Sequence, residues 1–120
     1  MERWILVADD DDAVRTMVGH VLVSSGFSIY LADSGDEAIR LFRLHQDRIT
    51  AALIDVRMPG LDGPATLREL RDINPALPVV LMTGNPSPYT YDELSAMGVV
   101  RVFEKPIPLD DLVSVLRHFA

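Results

Sequence analysis

A doubly wound α/β domain, with five parallel strands and five helices in (βα)5 alternation, is the fold that this sequence predicts. Short apolar runs alternate with helical periodicity five times, the pattern of a parallel sheet covered by helices on both faces. Four of the runs also end on residues with chemical capability. Trp4–Ala8 runs into Asp9-Asp10-Asp11-Asp12, Ala51–Ile54 into Asp55, Val79–Met82 into Thr83, and Val99–Phe103 into Glu104-Lys105-Pro106. At 120 residues the chain is expected to form one domain, residues 1–120, long enough to bury about two-thirds of its unfolded surface without staples.

In chain order, the Trp4–Ala8 strand leads into a helix expected over about Asp12 to Ser25. Val14, Met17, Val18, Val21 and Leu22 form its apolar stripe, and Gly26 stops it. Phe27–Ala32 is the second strand. Ser34 followed three residues later by Glu37 predicts a capping box for the second helix, which buries Ala38, Leu41 and Phe42. After the strand ending at Asp55, the turn-rich segment Met58-Pro59-Gly60-Leu61-Asp62-Gly63 precedes a helix from about Pro64, with Leu67 and Leu70 inward; Asn74-Pro75 breaks it. The fourth helix has two candidate starts, Ser87-Pro88 or a capping box of Thr90 with Glu93, and Pro86 and Pro88 make the start late or irregular in either case. The last helix, Leu109 to Phe119, buries Leu109, Leu112, Val113 and Leu116.

Composition narrows the function. With 48% hydrophobic and 24% charged residues the chain is globular, and without cysteine it has neither disulfides nor Cys-based zinc sites. A net charge of −7 argues against direct nucleic-acid binding, which needs a basic face. No apolar run is long enough for a membrane span and no signal-peptide pattern opens the chain, so a cytoplasmic location without membrane contact is expected. His20, His45 and His118 lack metal-ligand spacing and are expected at helix surfaces or boundaries.

Ligands of open parallel sheets bind outside the carboxyl ends of the strands. Parallel strands therefore bring the acids after residue 8, Asp55, Thr83 and Lys105 to one edge, as a site for a metal and a phosphoryl group. The bland alternatives are a helix N-terminus for Asp9–Asp12, a turn for Asp55, a strand exit for Thr83-Gly84 and a solvated lysine at 105.

Four segments carry a family resemblance: Ile5–Arg15 with its acidic pair, Asp55-Val-Arg-Met-Pro-Gly-Leu-Asp-Gly63, Leu81-Met-Thr-Gly84 and Glu104-Lys-Pro106. In this order and at strand ends, the chain resembles the response-regulator receiver domains of two-component signalling over essentially its whole length. The resemblance implies a flavodoxin-like strand order of 2-1-3-4-5. It implies Asp55 as the phospho-acceptor, taking a phosphoryl group from a phosphohistidine on a sensor histidine kinase or histidine phosphotransfer protein. Mg²⁺, with Mn²⁺ as a substitute, would be held by Asp10, Asp55 and the backbone carbonyl of Arg57, with Asp9 acting mainly through water. Thr83 and Lys105 would contact phosphoryl oxygens. The Arg57 side chain, Gly84 and Asn85 would modulate access to the acyl phosphate.

Thr83 and Lys105 could each contribute about 1.5–3 kcal/mol once a phosphoryl group is present. Reversing a 1:99 equilibrium takes about 5.5 kcal/mol, so two such bonds approach the size that a switch needs. Drawing Thr83 inward is expected to repack the fourth helix and fifth strand. In many receivers an aromatic residue three positions before the lysine fills the space that the threonine vacates. Here that position is Val102, and Phe103 falls on the opposite face by strand alternation, so the usual coupling is weakened.

Two other functions remain compatible with the sequence. One is a receiver-like interaction module that takes no phosphate. The other is a haloacid-dehalogenase-like phosphatase with Asp9 as nucleophile in Asp9-x-Asp11, which leaves Asp55 and the 58–63 loop without a purpose. In the receiver reading, the repacking is expected to change contacts with an output domain or partner.

Overall fold

The computed structural model describes residues 2–120. Its elements run β1 (Trp4–Ala8), α1 (Asp12–Ser24), β2 (Ser28–Ala32), α2 (Gly35–His45), β3 (Ile49–Asp55), α3 (Gly63–Ile73), β4 (Val79–Thr83), α4 (Tyr91–Ser95), β5 (Arg101–Glu104) and α5 (Leu109–Phe119). All strand pairs are parallel, in the order β2-β1-β3-β4-β5, as expected.

Alternation along each strand splits the core into two layers. Leu6, Ala52, Ile54, Val79 and Leu81 pack against Ala38 and Phe42 of α2, Leu67 and Leu70 of α3, and Leu94 of α4. On the other face, Ile5, Val7, Leu53, Val80, Met82 and Phe103 pack against Val18 and Leu22 of α1 and Leu112 and Leu116 of α5. These side chains are essentially removed from water, and each large aliphatic one contributes about 1.5–3 kcal/mol of burial.

Helix ends follow local chemistry. Asp11 caps α1, its carboxylate accepting the Ala13 and Val14 N–H groups. That helix closes in a Schellman arrangement: Phe27 N–H donates to the Leu22 carbonyl, Gly26 N–H donates to the Val23 carbonyl, and Gly26 takes φ +95°. Of the two candidate starts for α4, Thr90 is the one used. Its hydroxyl accepts the Glu93 N–H and the Glu93 carboxylate accepts the Thr90 N–H.

Four local expectations are corrected. Met17 is 44% exposed rather than inward, because α1 approaches the sheet closely at Gly19, where an added Cβ would lie 3.1 Å from Ile29 Cδ1. The inner face of α1 is therefore centred on Val18, Gly19 and Leu22. The second strand begins at Ser28, since Phe27 is used in the helix stop. Only half of the box at Ser34 forms: Ser34 accepts the Glu37 N–H, but the Glu37 carboxylate pairs with Arg40 instead of turning back. Finally, Val99 and Val100 precede β5. Arg71 of α3 donates to the Met97 carbonyl at 2.6 Å and the Gly98 carbonyl at 2.8 Å, holding the approach to β5 against α3.

Gly63 fixes the distance between β3 and α3. A Cβ there would sit 2.5 Å from the Asp55 carbonyl oxygen and 2.7 Å from Val56 Cα, both backbone atoms that cannot swing aside. Gly63→Ala is expected to cost about 1–3 kcal/mol in urea unfolding by forcing α3 away from the strand end. Gly84→Ala, whose Cβ would meet only the Lys105 side chain, Cβ at 3.9 Å and Cδ at 4.0 Å, is expected to stay within about 1 kcal/mol.

Candidate phospho-acceptor and metal site

Strand register sets the level of the site. Ala8 pairs with Ile54, Asp55 with Met82, and Thr83 with Glu104. Past these pairs the ladder continues through Val56 N–H to the Met82 carbonyl at 2.9 Å and Lys105 N–H to the Thr83 carbonyl at 2.8 Å. Side chains two residues apart share a face. Asp9 follows Val7, Asp55 follows Leu53 and Lys105 follows Phe103, all on the α1/α5 side of the sheet. Three strand ends thus converge on one point.

The Lys105 ammonium stands between two carboxylates. It donates to Asp9 Oδ2 at 2.9 Å and lies 3.5 Å from Asp55 Oδ1. Asp9 is wholly buried, and its other oxygen accepts the Asp11 N–H at 2.9 Å. Its backbone carbonyl accepts a 2.7 Å hydrogen bond from Arg15, whose guanidinium also pairs with Asp12. Asp10 is exposed, yet Asp9, Asp10 and Asp55 each present a carboxylate oxygen within 4.8 Å of the others. Among the described residues, this is the one such group of three or more potential metal-ligating acids, histidines or cysteines.

Electrostatics follow from that crowding. Burial, then the charge of Asp9, pushes the Asp55 carboxyl up from 3.8 to about 7, against the opposing pull of Lys105. Burial alone would lower the Lys105 pKa, but the bond to Asp9 and the charges of Asp55 and Asp9 outweigh it and hold the ammonium above its ordinary value. Three hard oxygen donors that repel one another, with no nitrogen or sulfur ligand among them, form a set suited to Mg²⁺ or Mn²⁺.

The other expected residues are placed as follows. Thr83 is fully buried at the end of β4, and its hydroxyl accepts the Asn85 N–H at 3.0 Å; by alternation it points with Leu81 toward the α2–α4 face. Gly84 and Asn85 are exposed at the rim. Arg57 is exposed and lines, with Asp10, a groove of about 480 Å³ beside the acids. Val102 is half-buried against the α2–α4 layer. Phe103 lies on the opposite face with the Arg101 guanidinium 4.8 Å from its ring centre. His20 and His118 are exposed, and His45 stacks on Tyr30 at 4.3 Å, away from the acids. Asp11, which the phosphatase alternative needs beside Asp9, is spent on capping α1.

Three features of the site were not legible as such: the Arg15 bond to the Asp9 carbonyl, the Gly63 contact with Asp55, and a 2.7 Å bond from the Tyr89 hydroxyl to Asp62. Of these only Gly63 left a sequence signal, and it read merely as a turn residue.

Fold and site together define a doubly wound α/β domain with an acid pocket and a half-buried lysine at the carboxyl edge of its sheet. The chain belongs to the response regulator receiver domain family, whose model matches residues 5–117, and it is a receiver domain of two-component response regulators. It is 38% identical over 112 residues to the transcriptional regulatory protein ZraR of Escherichia coli strain K12, an alignment covering 93% of this chain and 25% of that protein. It is 36% identical over 113 residues to the response regulator MprA of Mycolicibacterium vanbaalenii, covering 94% and 48%. The chain thus spans a quarter to about half of the length of these relatives. Among solved structures it is similar to a response regulator receiver protein from Pseudomonas putida (TM-score 0.89, 28% identity, 98% of each chain). It is likewise similar to the Vibrio cholerae chemotaxis protein CheY4 (TM-score 0.87, 25% identity, 100% of each chain). No helix among the described residues is long and apolar enough to cross a membrane.

Proposed function

We propose that this domain accepts a phosphoryl group on Asp55 from the phosphohistidine of a sensor histidine kinase or histidine phosphotransfer protein, and signals in the cytoplasm by changing its contacts with an output domain or partner. The observation that carries this reading is the placement of the Asp55 carboxylate, 3.5 Å from the Lys105 ammonium and grouped with Asp9 and Asp10 at the open edge of the sheet.

A carboxylate is a weak nucleophile, so rate must come from position and charge neutralisation. An Asp55 oxygen attacks phosphorus, the P–N bond to the donor imidazole breaks, and the imidazole leaves with the bonding pair and takes up a proton. Lys105 offsets charge on a phosphoryl oxygen, and the Thr83 hydroxyl donates to another. Asp10, Asp55 and the Arg57 carbonyl would hold Mg²⁺. Asp9, with both oxygens already accepting hydrogen bonds, would reach the ion through water. The bound cation supplies neutralisation of the converging negative charges. Loss of the acyl phosphate to water returns Asp55, with Arg57, Gly84 and Asn85 governing access.

Acetyl phosphate with Mg²⁺ is expected to add the mass of one phosphoryl group to the wild-type chain and none to Asp55→Asn, read by intact mass. Equal labelling of Asp55→Asn would move the acceptor elsewhere. No labelling of the wild type, with no beryllofluoride binding, would favour the phosphate-free interaction module.

A further inference from the structure

The loop between β4 and α4 is tied at one end to the site and at the other to α3. The Thr83 hydroxyl accepts the Asn85 N–H at 3.0 Å, Asn85 Oδ1 accepts the Ser87 N–H at 3.0 Å, and the Pro86 carbonyl accepts the Tyr89 N–H at 2.9 Å. The Tyr89 hydroxyl then crosses the groove and donates to Asp62 Oδ2 at 2.7 Å. Asp62 Oδ1 accepts the Ala65 N–H at 2.9 Å as the cap of α3. Four hydrogen bonds and the short backbone stretches between them therefore join the Thr83 hydroxyl to Asp62, the cap of α3. Asp62, Ser87, Pro88 and Tyr89 line one groove together with Asp10 and Arg57 of the site.

Position 102 offers no comparable handle. Val102 has no polar atom and sits on the α2–α4 face, and Phe103 is buried on the far side of the sheet. The Asp62 bond also holds the Tyr89 phenol above its ordinary pKa, so the hydroxyl remains a donor at neutral pH.

We infer that Tyr89 is the aromatic switch element of this domain, its hydroxyl latching the β4–α4 loop to Asp62 of α3 until a phosphoryl group at Asp55 draws the Thr83 hydroxyl away. The inference rests on the phospho-acceptor reading above. When Thr83 turns to donate to a phosphoryl oxygen, Asn85 N–H loses or must follow its acceptor. Only a short loop separates Asn85 from Tyr89, so the displacement reaches the Tyr89–Asp62 bond. The state of Asp55 is then written on the α3 N-terminus and the groove wall rather than through residue 102.

Isotope-labelled full chain titrated with beryllofluoride and Mg²⁺ tests this by NMR. Shifts of the Thr83 and Lys105 amides report occupancy at Asp55, and the Tyr89 ring and Ala65 amide are expected to move along the same titration curve. Tyr89→Phe, which removes only the latch hydroxyl, is expected to bind beryllofluoride about tenfold more tightly, because the analogue no longer works against a carboxylate hydrogen bond. In Thr83→Ala at saturating analogue, the Lys105 amide should still respond while the Tyr89 ring and Ala65 amide stay still. Occupancy at Lys105 with an unmoved Tyr89, or unchanged affinity in Tyr89→Phe, overturns the latch alone. No analogue binding at all overturns the phospho-acceptor reading and the latch together.

Discussion

Lys105→Met is expected to destabilise the metal-free protein by about 3 kcal/mol at pH 8. The lysine side chain is half-buried, and methionine replaces most of its volume, so packing changes little. What is lost is the charge that answers two acids, one of them, Asp9, wholly buried at 2.9 Å. The pH dependence separates this from ordinary packing loss. Because Lys105 is held above its ordinary pKa, its stabilisation is fully present at neutral pH and disappears only as pH rises through the lysine range, above about 10.4. The carboxylate side titrates earlier: below pH 7 Asp55 takes up a proton, and the penalty of the variant should shrink toward pH 5. Saturating Mg²⁺ should restore part of the loss, since a bound cation replaces the missing charge. Urea unfolding at both pH values, with and without Mg²⁺, reads all three effects. A penalty below about 1 kcal/mol at pH 8, or one independent of pH, would contradict the ion-pair geometry.

Asp55→Asn should act in the opposite direction. With its carboxyl pushed up from 3.8 to about 7, the folded protein binds a proton that the unfolded chain has released, so stability falls as pH rises from about 4 to about 7 and then levels off. Asparagine carries no such cost. The variant should therefore be more stable than the wild type by about 2–4 kcal/mol above pH 7 without metal, with the gain vanishing toward pH 4. In a domain of this size that corresponds to a rise of about 5–15 °C in the thermal midpoint. Mg²⁺ should narrow the difference, because the wild type gains linkage stabilisation at a site that the variant has weakened. A variant less stable than the wild type at pH 8, or a gain that persists at pH 4, would contradict the electrostatic account. Together the two substitutions pose a simple test: the same pocket should be hurt by loss of its cation and relieved by loss of its central charge.

Much of this was legible in the order of residues, because the information is local. Apolar runs of strand length followed by Asp9, Asp55, Thr83 and Lys105 place those side chains at strand ends once the strands are parallel, and the register bears that placement out. The last helix, Leu109–Phe119, falls where its periodicity put it. Competing local options were harder. The sequence could not choose between Ser87-Pro88 and Thr90 as a helix start, nor see that Glu37 would prefer Arg40 to its own N-cap.

What the chain determined by itself is the alternation of elements, the two-faced core and the identity of the groups at the carboxyl edge, since each follows from hydrophobic period and from what ends each strand. Only the folded molecule decided which of those groups touch. The seat of Lys105 between Asp9 and Asp55, the Arg15 hold on the Asp9 carbonyl, the Gly63 contact with Asp55 and the Tyr89–Asp62 bond all join residues from different elements or loops. Such contacts are set by sheet twist, register and the closeness of backbone packing, and these are properties of all the elements together rather than of any one stretch of sequence.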